Sequence, residues 1–180
     1  LRRPAFGYED IKNHNPKVVY CSVSAFGQTG PYSKRPTVDG LIQAFSGMMV
    51  MNRMPDGTPW RQGMIAVDVT TGLYTFQALS TAIMRQFRFG EGCFIDSRLM
   101  KAAEAVQGGK LMEWIFSNGA PPVLYMPAGS YKSKNGYIMV SAMRPHHFKL
   151  LFELIGREDV ANDPELQSHE ARIRNAPRII

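Results

Sequence analysis

The longest regular pattern in the chain is RQGMIAVDVTTGLYTFQALSTAIMRQ, at residues 61–86. Apolar residues after Asp68 recur at the helical steps of three and four: Val69, Leu73, Phe76, Leu79, Ile83 and Phe87. Such spacing predicts a long helix whose apolar side faces a hydrophobic core. A lone carboxylate, Asp68, stands immediately before the predicted helix.

Two roles are open to Asp68 on the residues alone. As a helix cap, its carboxylate would accept hydrogen bonds from the backbone N–H groups of Thr70 or Thr71. As a reactive group, it would be held in its charged form by the positive end of the helix dipole. A glycine at position 72 costs helix stability, which indicates that another group approaches closely there.

Strand and helix patterns alternate on both sides of this helix. Residues 16–26 and 92–99 are short apolar runs that predict buried strands. Residues 38–50 and 100–119 have helical patterns. The alternation predicts an α/β fold, namely the parallel sheet layer of a partial, Rossmann-like large domain.

The pattern changes after about residue 119. Residues 130–142 predict a β-hairpin that turns at Asn135–Gly136, because this dipeptide readily adopts positive φ. Two helices should follow, the first opening near Arg144–Pro145 and the second at residues 163–175. We therefore predict a large α/β domain at residues 1–120 and a small α+β domain at residues 121–180.

Composition limits the classes of function. The 180 residues are 44% hydrophobic and 20% charged, with no apolar run long enough for a membrane span. The net charge of +6 favours anionic partners, but the basic residues are scattered, which argues against nucleic acid. Cys21 and Cys93 are interpreted as buried, reduced thiols of a cytoplasmic protein. No metal-ligand spacing occurs, and the adjacent His146 and His147 point to different sides of a helix.

Three blocks of the sequence carry a resemblance to a known family. They are NPKVVYCSVSAFGQTGPYSKRPTVDGLIQAFSGMM (15–49), GMIAVDVTTGLYTFQALSTAIMRQ (63–86) and YMPAGSYKSKNGYIMVSA (125–142). In content and order they resemble the class III CoA-transferases, the group that contains formyl-CoA transferase and the carnitine CoA-transferases. Members are considerably longer than this chain, which resembles their central part.

The resemblance implies a nucleophile and a reaction. The family's catalytic aspartate precedes a glycine-containing helix start, and its position matches Asp68. By resemblance, Asp68 attacks an acyl-CoA and then carries CoA as an aspartyl thioester, which an acceptor carboxylic acid converts into a new acyl-CoA. Coenzyme A is thus a substrate and product, and the partners are an acyl-CoA and a small carboxylic acid. The N-terminus of a helix suits this role, so Asp68 could be both the helix cap and the nucleophile.

The resemblance also implies CoA contacts. Arg3 matches a CoA-binding arginine of the formyl-CoA transferase branch, and Arg35, Pro36, Thr37 and Val38 match its second contact stretch. Related acyl-CoA racemases have a histidine where this chain has Val38. The absence of that second base favours a transferase. An acyl-CoA racemase remains as an alternative function.

A further alternative belongs to a different class. The family forms interlocked dimers, so we expect a homo-oligomer. A chain this short could instead be a catalytically silent module that oligomerises or binds a ligand. The sequence therefore leaves the activity of the isolated chain open.

Overall fold

The structure, a computed structural model, describes residues 6–54, 56–119 and 125–179. The chain forms two compact units, residues 1–116 and 117–180. The domain boundary predicted between residues 120 and 121 stays a prediction, because residues 120–124 lie outside the described residues.

The first unit is a parallel two-stranded sheet with helices. Its elements are α1 (Tyr8–His14), β1 (Val19–Ser24), α2 (Asp39–Phe45), α3 (Met48–Met51), α4 (Ala66–Phe89), β2 (Cys93–Arg98) and α5 (Leu99–Phe116). Strands β1 and β2 pair in parallel, from Val19 opposite Cys93 to Ser24 opposite Arg98. The core joins α2, α3, α4 and α5 through Ile42, Met48, Val67 and Ala103. The predicted α/β layer is confirmed.

One predicted helix is divided. The pattern at residues 38–50 yields two helices, α2 and α3, because Gly47 between them has a φ of +83°. This left-handed conformation is readily adopted by glycine and ends α2.

The apolar face of α4 is not the buried one. Val67, Thr71 and Ala82 are the buried residues of this helix, whereas Phe76 and Phe87 are 68% and 84% exposed. The prediction that the apolar stripe faces the core is therefore wrong within the described chain. Small and β-branched residues on the other side fit closely against the sheet, where the Thr75 and Ser97 hydroxyls lie 2.5 Å apart.

The second unit combines a hairpin with short helices. Its elements are β3 (Ala128–Ser133), β4 (Gly136–Ser141), α6 (Pro145–Leu154), α7 (Glu158–Ala161), a 3₁₀ turn (Pro164–Leu166), α8 (His169–Arg174) and α9 (Ala176–Ile179). Phe148, Phe152 and Leu166 are at the centre of its core. Helix α6 opens at Pro145 as predicted.

Two local details of this unit differ from prediction. Strands β3 and β4 are antiparallel, but the two-residue turn is Lys134–Asn135, and Gly136 already pairs with Ser133. The single helix predicted around residues 163–175 is instead the 3₁₀ turn and α8. Asp163 and Ser168 each cap a helix start with their side chains, which separates the two.

Candidate active site

Asp68 lies in the first turn of α4, as its third residue. Its side chain is exposed and lines an open cavity of about 390 Å³. The other lining residues are mostly apolar or small: Val23, Thr71, Gly72, Thr75, Phe76, Leu79 and Leu99. Within the described parts of the chain the Asp68 carboxylate has no hydrogen-bond donor, so its oxygens are available to a ligand.

The cap of α4 comes from a different aspartate. Ile65, at the N-cap position, has no side-chain acceptor. The Asp39 carboxylate fills that place, since its Oδ2 accepts from the backbone N–H groups of Val67 at 2.8 Å and of Asp68 at 3.1 Å. The predicted capping by the Asp68 side chain is wrong, because the helix begins at Ala66 and Asp68 lies inside it.

A buried amide completes this arrangement. Gln43 is fully buried and donates from Nε2 to Asp39 Oδ1 at 2.6 Å. Its Oε1 accepts from the backbone N–H of Gln62 at 2.9 Å, and Nε2 also reaches the Met64 carbonyl oxygen at 3.3 Å. Helix α2 thereby holds the segment that leads into α4.

Sequence reasoning missed Asp39 and Gln43 as site residues. The available signal was their spacing of four residues, which places two polar side chains on one face of a short apolar helix. The residues they bind are about twenty to thirty positions away in the sequence, and local patterns do not report such pairings.

Gly72 has an open neighbourhood in this chain. A Cβ added there, or at Gly63, would meet no atom from elsewhere in the described chain within 4 Å. No described protein group approaches Gly72, so the close approach predicted there stays a prediction. Because residues four apart share a helix face, Gly72 keeps the space beside Asp68 free.

The predicted CoA-contact residues fall into two groups. Arg3 lies outside the described residues. Arg35 is exposed, with its guanidinium 4.6 Å from the centre of the Tyr32 ring. Pro36 is exposed and Thr37 is half-buried. Val38, the N-cap residue of α2, directly precedes Asp39, so the predicted stretch leads straight into the cap of α4.

The loop between β1 and α2 contains a tightly placed glycine. Gly27 has a φ of +92°, and a Cβ there would lie 2.3 Å from Arg98 Nε. That guanidinium bonds to Asp96 Oδ2 at 2.6 Å and 2.9 Å. Asp96 also accepts from the Gln28 backbone N–H at 3.3 Å. The end of β2 thus anchors the start of this loop.

Among the described residues no group of three or more His, Cys, Asp or Glu could hold a metal ion. His146 and His147 are both exposed. In the same part of the chain no helix is both long and apolar enough to cross a membrane.

Comparison with known proteins gave consistent matches. CoA-transferase family III matches residues 1–180. The succinate–glutarate CoA-transferase of Agrobacterium fabrum is 31% identical, over 96% of this chain and 45% of that protein. The acetyl-CoA:oxalate CoA-transferase of Acetobacter aceti is 32% identical, over 97% of this chain and 47% of that protein.

Solved structures have the same fold. The orthorhombic crystal form of Rv3272 from Mycobacterium tuberculosis has a TM-score of 0.85 at 27% identity, with 97% of this chain and 47% of that one covered. A CAIB/BAIF family protein from Brucella suis has a TM-score of 0.82 at 29% identity, with 97% and 48% covered. The chain spans slightly less than half the length of these relatives.

Proposed function

The chain belongs to CoA-transferase family III, and we propose that it carries the nucleophile, Asp68, of an enzyme that moves CoA between an acyl-CoA and a carboxylic acid. The observation that carries this proposal is the Asp68 carboxylate, which lies without a hydrogen-bond donor in the described chain at the edge of a cavity. The first turn of a helix stabilises the negative charge that such a nucleophile needs.

The first half of the proposed reaction transfers CoA to Asp68. A carboxylate oxygen attacks the thioester carbonyl carbon, the carbon–sulfur bond breaks, and CoA leaves as its thiolate. The thiolate then attacks Asp68 Cγ in the mixed anhydride, and the donor acid leaves as a carboxylate. Asp68 now carries CoA as a thioester.

The second half returns CoA to the acceptor. The acceptor carboxylate attacks Asp68 Cγ and expels the thiolate, which gives a second mixed anhydride. The thiolate attacks the acceptor's carbonyl carbon, and the Asp68 carboxylate is regenerated. Both anhydrides react readily with water, so apolar walls such as Phe76 and Leu79 would protect them.

The CoA contacts are proposed on the same basis. CoA carries several phosphate groups, which arginine binds through charge-assisted hydrogen bonds. We assign this role to Arg3 and Arg35, with Pro36, Thr37 and Val38 contacting the rest of the molecule. The acceptor is a small carboxylic acid, in keeping with the acids named for the relatives. The proposed compartment is the cytoplasm, because Cys21 and Cys93 are free thiols, although half-buried rather than buried as predicted.

Peptide mass spectrometry after incubation with acetyl-CoA tests the proposal. A CoA thioester on the peptide that contains Asp68 would support it. A CoA thioester on any other residue would overturn the proposal for this chain, and so would the absence of any CoA thioester at saturating acetyl-CoA.

Gly72→Ala should raise the stability of the chain and lower the rate of adduct formation. Gly72 is a helical residue with open space around it, so alanine should raise the free energy of unfolding by about 0.5–1 kcal/mol. The added methyl group would enter the cavity beside Asp68 and slow adduct formation by roughly tenfold. Urea denaturation and timed mass spectrometry measure the two effects.

Gly109→Ala is the matched control. Gly109 lies in α5, also with no atom within 4 Å of an added Cβ, and it does not line the cavity. Its replacement should stabilise the chain without changing adduct formation. Equal adduct rates in both glycine variants would contradict a role for the space at Gly72.

We also propose that the chain pairs with a second copy through the exposed apolar face of α4. Leu73 and Phe87 on this face are 60% and 84% exposed, and covering such a surface is favourable. Leu73→Glu and Phe87→Glu should each weaken the association by at least about tenfold, because a charge would be buried without a partner. Sedimentation velocity over a concentration series measures this. Thr81→Glu is the control, because Thr81 is an exposed residue of the same helix five positions from Phe76 and so faces a different side. A monomer at every concentration would refute the pairing.

A further inference from the structure

Asp39 is an unusually buried carboxylate. Asp39 is only 4% exposed, and an aspartate is almost never buried to this degree unless its charge is paired. No ion pair of the described residues includes it. Its charge is instead satisfied by neutral donors, namely two backbone N–H groups and the Gln43 amide.

The two backbone groups belong to the nucleophile's own turn. Asp39 Oδ2 binds the N–H of Val67 at 2.8 Å and the N–H of Asp68 at 3.1 Å. The N–H of Asp68 is part of the same residue whose carboxylate lines the cavity. A contact to the backbone of a residue fixes the origin and direction of its side chain without using the reactive oxygens.

We infer that Asp39 is a positioning residue for the reaction, which holds the Asp68 backbone so that its carboxylate points into the cavity. The inference rests on the proposed function of Asp68. Gln43 is the partner that orients Asp39, since it fills Oδ1 and leaves Oδ2 for the helix start. Because Gln43 also binds the Gln62 N–H, α2 holds the entry to α4 at two places.

The proposal predicts the behaviour of a pair of variants. In Asp39→Asn, the side-chain oxygen can still accept from α4, but the new NH₂ group would face the Gln43 NH₂ group, and two donors cannot bond. In the double variant Asp39→Asn with Gln43→Glu, the NH₂ group meets a carboxylate. That carboxylate also accepts from the Gln62 N–H, so only the bond to the Met64 carbonyl is lost. The net charge equals that of the unchanged chain.

Amide hydrogen exchange tests the contact, and timed adduct formation with acetyl-CoA tests its effect. In Asp39→Asn, the Val67 and Asp68 amides should exchange about tenfold faster, while Ala82 farther along α4 is unaffected. Adduct formation at saturating acetyl-CoA should slow by about 10- to 100-fold with an unchanged half-saturating concentration, because only the geometry of attack is altered. The double variant should recover most of both losses.

Asp10→Asn is the matched control, since Asp10 also accepts from a backbone N–H at a helix start, that of Gly7, the N-cap residue of α1, at 3.0 Å. It should change neither readout at Asp68. Unchanged exchange in Asp39→Asn would overturn the inference, as would a lost rate that the double variant fails to restore. If the unchanged chain forms no adduct, the proposed function fails for this chain, and amide exchange still decides whether Asp39 holds the Asp68 backbone.

Discussion

Asp68→Asn is expected to abolish CoA transfer to the protein, with a loss on the order of 10³-fold or more. Asparagine has nearly the same shape as aspartate, but its amide has no negative oxygen to attack a thioester. The backbone of residue 68 would still be bound by Asp39, so the fold and the cavity should persist. Peptide mass spectrometry with acetyl-CoA, together with circular dichroism, separates lost chemistry from lost structure.

Glu9→Gln is the control for this variant. Glu9 is an exposed carboxylate in the first turn of α1, so its position in a helix resembles that of Asp68 while its surroundings do not. Adduct formation should be unchanged. An adduct that persists in Asp68→Asn and disappears in another carboxylate variant would assign the nucleophile elsewhere.

Labelled oxygen gives a stricter test of the same residue. In the proposed reaction one oxygen of the acceptor acid remains on Asp68 when the acceptor leaves as its CoA ester. With a heavy-oxygen-labelled acceptor, the label should appear in the Asp68 peptide and later in the released donor acid. Direct attack of the acceptor on acyl-CoA, without the aspartate, would leave the Asp68 peptide unlabelled.

The sequence was informative where local chemistry dictates structure. The apolar runs at residues 16–26 and 92–99 predicted β1 and β2, and their parallel pairing is observed. Asp68 was predicted at the start of a long helix, and it lies in the first turn of α4, where it lines a cavity. Its catalytic role stays a proposal. The strands and the start of the helix depend on residues close together in sequence, whereas the pairing of β1 with β2 joins distant parts of the chain.

Two other features depend on long-range packing, and the sequence did not predict them. The capping carboxylate of α4 comes from Asp39, which precedes Val67 by 28 residues. In the sequence, Asp68 stands where a capping residue is expected, but in the structure Asp39 caps the helix. Likewise, the period of the apolar residues in α4 locates a stripe, but what covers that stripe depends on other segments or chains.

Gly92→Ala should cause a large loss of stability, about 3 kcal/mol, through a steric clash rather than backbone strain. A Cβ at Gly92 would lie 2.4 Å from the Val18 carbonyl oxygen and 2.6 Å from the Lys17 carbonyl carbon. Both are backbone atoms, so a side-chain rotation cannot relieve the contact. The same Val18 oxygen accepts from the Cys93 N–H at 3.0 Å, which makes Gly92 the point where β2 joins β1.

Gly90→Ala separates this clash from the general cost of replacing a glycine. Gly90 has a φ of +70°, so alanine there is strained, but its nearest contact is the flexible Lys17 side chain at 3.6 Å. The expected loss is therefore only about 1 kcal/mol. Urea denaturation of both variants measures the difference, and equal losses would contradict the clash.

Since Val23 of β1 and Leu99 after β2 line the cavity beside Asp68, the pairing of the strands sets the cavity wall. Gly92→Ala should consequently slow adduct formation even under conditions in which the chain is still folded.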